Sequence, residues 1–145
     1  MQELLSMLEI FKVQPLINDI NLSDINIIHF TLRGIPFKAM DYKHSICIGV
    51  FFIDRKMISD ATIRYITLML VSLEELQDFA LQLSDGYWWL WGRYTADERG
   101  TLDEKHQALS IKLEQIHSII QHLNSLVTKV NSPKTDVSLK PIRKI

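Results

Sequence analysis

Five histidines, one cysteine and a run of tryptophans are the residues of this 145-residue chain whose types could do chemistry. His29, His44, His106, His117 and His122 are scattered. The pair on the C-terminal segment, His117 and His122, is five residues apart, so the two do not share a helix face as metal ligands four apart would. Asp103 and His106 are three apart, a spacing that usually gives a local helix contact. Metal coordination is therefore not expected, and the histidines read as exposed groups on a solvated face. Cys47 stands inside the apolar run Ser45-Ile46-Cys47-Ile48-Gly49-Val50, where a thiol behaves as a small hydrophobe. Nucleophilic catalysis needs a base and an orienting group beside the nucleophile. No Gly-x-Ser-x-Gly elbow is present, and the glycines at 34, 49, 86, 92 and 100 form no phosphate loop. The acid pairs Glu74-Glu75 and Asp97-Glu98 fall in polar connections. The sequence thus leads to no catalytic residue, no metal and no cofactor.

Tyr87-Trp88-Trp89-Leu90-Trp91 is the most unusual segment. On a strand, alternate positions face opposite ways, so Trp88 and Leu90 separate from Trp89 and Trp91. One set can fill a core. The other needs a cover, and tryptophan and tyrosine are enriched at binding hot spots. Base stacking is the competing use of strand aromatics, but Arg93 is the one cation nearby in sequence. A net charge of −1 with a pI near 6.5 also argues against a phosphate-neutralising protein.

The elements that must position these residues follow from periodicity. Gln2 to Val13 is amphipathic at helical spacing and stops near Pro15. Ile25 to Leu32 has the period of a strand. Gly34-Ile35-Pro36 punctuates, and a short strand over Phe37–Tyr42 follows. Ser45 to Ile53 is a stronger strand, apolar on both faces and so expected to be covered on both, by a helix or another chain. Ser59 or Asp60 can cap a helix over Ala61 to Val71 that is apolar nearly all round and reads as buried. Ser72-Leu73-Glu74-Glu75 has capping-box spacing and suggests a further helical turn. Asp85-Gly86 between alternating apolar runs predicts a hairpin over 77–95, against a helix continuing to Leu83. Thr101 with Glu104 opens a long helix, whose stripe Leu109, Leu113, Ile116, Ile120, Leu123, Val127, Val130 runs to the Asn131–Pro133 boundary.

These elements give an α+β single domain of order α-βββ-α-ββ-α, an antiparallel sheet packed by helices. Residues 1–130 form the domain, and 131–145 a basic, flexible tail with Lys134, Lys140, Arg143 and Lys144 against Asp136. One thiol fits a reducing compartment. The N-terminus lacks a basic leader, and no apolar run approaches the ~20 residues of a membrane span. A soluble, cytoplasmic protein is the expectation.

Several segments together carry a resemblance: Tyr65-Ile66-Thr67-Leu68-Met69-Leu70, Asp78-Phe79-Ala80-Leu81-Gln82-Leu83, Trp89-Leu90 with Gly92-x-Tyr94-Thr95, and Glu104-Lys105-His106-x-Ala108-Leu109. In this order and spacing, over roughly residues 45–123, the chain resembles the SpiC/SepD family of type III secretion gatekeeper proteins. The element order separately resembles class I type III secretion chaperones. The resemblance implies a non-enzymatic component of a gatekeeper complex in the bacterial cytoplasm, peripheral to the secretion apparatus. Its partners would be a gatekeeper of the SepL/SsaL type and a small chaperone-like protein, joined in a hetero-oligomer that orders translocator and effector export. It implies no nucleic acid and no integral membrane segment. The alternative is a secreted virulence effector that binds a host vesicle-trafficking protein. Candidate partner-binding residues are Ile48, Val50 and Phe52 on the strong strand, Ile63, Ile66 and Leu70 on the central helix, and Trp89 and Trp91 on the hairpin. A pH-sensing role for His106, His117 or His122 would attach to the gatekeeper reading.

Overall fold

A computed structural model describes residues 10–24, 27–42, 45–95 and 99–130. Six antiparallel strands form one sheet: β1 (Asn18–Asp24), β2 (Ile27–Leu32), β3 (Ile35–Tyr42), β4 (Ser45–Asp54), β5 (Ala80–Ser84) and β6 (Tyr87–Tyr94), in the order β1-β2-β3-β4-β6-β5. Among the described residues two long helices, α1 (Asp60–Ser72) and α2 (Leu102–Val130), pack with the sheet in the α+β domain expected from the sequence. Residues 10–12 are helical, and the rest of the expected first helix lies outside the described residues, as does the tail.

Four strands rather than three precede α1. The added strand, β1, reads Asn-Asp-Ile-Asn-Leu-Ser-Asp and lacks the β-branched, alternating signature, so its pairing with β2 overrides its composition. Two tight turns set the register. Arg33-Gly34 and Asp85-Gly86 both have positive φ at both positions (52° and 81°; 51° and 83°), which matches the right-handed twist of the strands they join. The hairpin reading of 77–95 therefore holds, and the helix continuing to Leu83 does not form. Pro36 is tolerated in β3 because it pairs with Thr31 just past the β2–β3 turn, while the β3–β4 ladder begins only at Phe37.

Both helices start with side-chain caps. Ser59 Oγ accepts the Thr62 N–H at 3.1 Å. At α2, Thr101 Oγ1 accepts the Glu104 N–H at 3.1 Å and Glu104 Oε1 accepts the Thr101 N–H at 2.8 Å, a reciprocal capping box. The second such box, at Ser72, does not form. Ser72 Oγ donates instead to the Met69 carbonyl, and a 3₁₀ turn over Glu74–Leu76 follows without a side-chain cap.

The core lies on one sheet face. Ile28, Phe30, Phe37, Ile48, Val50 and Leu90 meet Leu109, Leu113, Ile116, Ile120 and Leu123 of α2, all at 2% exposure or less. Val127 closes the stripe, but Val130 is 48% exposed and lies past the sheet. Phe11 seals one end, edge-on to Phe30 at 5.4 Å, with Phe30 stacked on Phe37 at 5.3 Å. Helix α1 does not have the all-round burial expected of it. Ile66 and Leu70 enter the core, while Tyr65, Leu68 and Val71 point outward because no described element lies beyond them. Among the described residues no helix is long and apolar enough to cross a membrane.

Candidate functional site

The sheet's second face is its unusual surface. Register places Phe51 opposite Trp89, Gly49 opposite Trp91 and Cys47 opposite Arg93, with Lys38 beside Gly49 on β3. These residues project away from α2, and among the described residues no helix covers them. Gly49 is needed here for space. A Cβ at that position would stand 2.9 Å from two atoms of the Trp91 ring, so the indole lies close over bare backbone. Trp89 meets Phe51 edge-on at 5.9 Å, and Phe51 also contacts Tyr87 at 5.6 Å.

Lys38 completes the cluster. Its Nζ lies 4.0 Å from the Trp89 ring centre and 5.5 Å from that of Trp91, within cation–π range of both. Partial desolvation lowers the Lys38 pKa from its ordinary value, and the Asp85 charge opposes that shift. Trp91 Nε1 is buried and has no hydrogen-bond partner among the described residues. The face thus offers aromatic area and a partly desolvated ammonium.

The expected site residues separate into two sets. Trp89 and Trp91 stand half-buried on the open face. Ile48, Val50 and Phe52 are at 4% exposure or less and belong to the chain's own core, as do Ile66 and Leu70. They present no surface to a partner. Ile63 is half-buried and packs against that core. The open face of β4 is instead Cys47, Gly49 and Phe51, the other half of the same alternation. Lys38 was missed because it lies far from the tryptophans in sequence, and only sheet register brings it to them.

The histidines also need correction. His117 is 6% exposed rather than solvated. Arg33, on the β2–β3 turn, forks onto Glu114 with two contacts of 2.9 Å and reaches His117 Nδ1 at 3.1 Å. Burial first, and then the Arg33 charge, lower the His117 pKa, while Glu114 opposes them. His122 is exposed, and His29 and His106 are half-buried. His44, Asp97 and Glu98 lie outside the described residues.

No family model matches the chain. Over 115 residues it is 30% identical to a "SpiC homolog" of Salmonella typhi, covering 76% of this chain and 91% of that protein. It has the same identity over the same length to "Salmonella pathogenicity island 2 protein C" of two Salmonella typhimurium strains, covering 86% of each. The chain belongs to the SpiC family.

Proposed function

We propose that this protein is a non-enzymatic, cytoplasmic component of a type III secretion gatekeeper complex. It binds a gatekeeper of the SepL/SsaL type and a small chaperone-like partner, and so takes part in ordering translocator and effector export. The observation that carries this reading is the uncovered aromatic face around Trp89, Trp91 and Lys38. One small domain has sealed its core with α2 and still holds four aromatic side chains and a partly desolvated lysine on its other side. Family membership supports the secretion context.

On this reading the gatekeeper meets the sheet face. Trp89 and Trp91 supply buried area at low entropic cost, and Lys38 and Arg93 favour a partner surface that brings carboxylates. Affinity purification from the native bacterium under secreting conditions, with sizing of what co-elutes, tests the assignment. The expected result is a stable complex containing a gatekeeper and a small second protein. Recovery of the protein alone, mostly outside the cell, would contradict it and favour an effector that acts on host vesicle traffic.

A further inference from the structure

The two edges of the sheet are built differently. β1 carries Asp19 at φ 52° and two register shifts, the bulges and charges by which natural sheets block edge-to-edge pairing. β5 has no such device. Its five residues, Ala80-Leu81-Gln82-Leu83-Ser84, include no charge, proline, glycine or bulge, and among the described residues only β6 pairs with it.

The turn fixes which backbone groups are free. Ser84 and Tyr87 flank a two-residue loop and form its hydrogen-bonded pair, so Ser84, Gln82 and Ala80 direct their N–H and C=O groups to β6. Leu81 and Leu83 then direct theirs outward. The strand is also close to palindromic. Turned antiparallel against a second copy about Gln82, it sets Leu81 opposite the other copy's Leu83, with Ala80 opposite Ser84. In that register the outward groups of Leu81 and Leu83 meet as hydrogen-bonded pairs, and no like charges oppose. The leucines lie on the α2 face of the sheet, where α1 packs beside β5 and leaves Leu68 and Val71 at 65% and 63% exposure. Leu83 itself is 40% exposed.

The geometry points to the β5 edge as a symmetric interface with a second copy of this chain. The pair makes one continuous twelve-stranded sheet from two six-stranded ones, with α1 of each copy beside the two-fold axis. It goes beyond the partner binding proposed above and uses none of the aromatic face, so its failure leaves that reading standing.

Cysteine cross-linking of the full chain tests it, in a Cys47→Ser background that removes the native thiol. Gln82 meets itself in a non-hydrogen-bonded pair, where Cα atoms stand about 4.5 Å apart, within disulfide range. Gln82→Cys should therefore form a covalent dimer under mild oxidant. Ala80→Cys should not, because its two copies are separated by four residues, about 14 Å along the strands. Sedimentation should find a dimer for the wild type and at least about tenfold weaker association for Leu83→Lys, which sets a charge against the partner's Leu81. A monomeric wild type overturns the proposal. So does cross-linking of Ala80→Cys as fast as Gln82→Cys, or undiminished association of Leu83→Lys.

Discussion

Arg33, Glu114 and His117 illustrate what three side chains decide locally. The guanidinium fork holds the Glu114 carboxyl below its ordinary pKa, through the hydrogen bond first, and the same cation faces a buried imidazole. The folded state therefore prefers neutral His117, with a pKa below the ordinary 6.5. An unfolded chain binds that proton more readily, so stability from this group is full above about pH 6.5 and is lost as pH falls. Denaturant melts between pH 7.5 and 5 should show stability declining toward acid, and His117→Gln should flatten that slope. An equal slope in the variant would remove His117 as its source. Two glycines make a paired prediction. A Cβ on Gly92 would stand 2.5 Å from the buried Phe79 ring, whereas one on Gly49 meets Trp91 on the open face. Gly92→Ala should cost about 1–3 kcal/mol in chemical denaturation. Gly49→Ala should cost less, because Trp91 can tilt outward, and its indole fluorescence should shift toward that of a wetter site.

At the scale of elements, what was legible in the sequence is what local chemistry dictates. Asp85-Gly86 announced its hairpin because both turn positions need positive φ. Thr101 and Glu104 announced the start of α2, and the stripe from Leu109 to Val127 announced its buried side. What escaped depends on neighbours. β1 exists because β2 offers an edge, and its own polar residues give no hint of it. The Ser72 capping spacing failed because the hydroxyl found the Met69 carbonyl first. α1 showed apolar residues on every side, and composition alone could not tell a buried helix from one with a bare apolar flank at Tyr65, Leu68 and Val71. The candidate site divides the same way. Alternation separated Trp89 and Trp91 from Leu90, but the choice of which β4 residues share their face rested on register. Ile48, Val50 and Phe52 proved to be core, and Phe51, Gly49 and Lys38 took their place beside the tryptophans.

Across the whole molecule the two sheet faces divide the labour. One face and α2 supply the core of a domain in the SpiC family; the other keeps Phe51, Tyr87, Trp89, Trp91 and Lys38 on a surface that no described helix covers. Leaving these four aromatic side chains partly in water is unfavourable for a monomer, at roughly 25 cal/mol for each Å² of apolar surface left unburied. A partner that covers them recovers that free energy. The most direct test is a calorimetric titration of the purified protein with the SepL/SsaL-type gatekeeper of the same bacterium, comparing wild type with Trp89→Ala and Trp91→Ala. Circular dichroism should establish that both variants are folded. Either truncation should weaken affinity at least about tenfold, as for residues at the centre of an interface. Unchanged affinity in folded variants would contradict it and remove the aromatic face from partner binding.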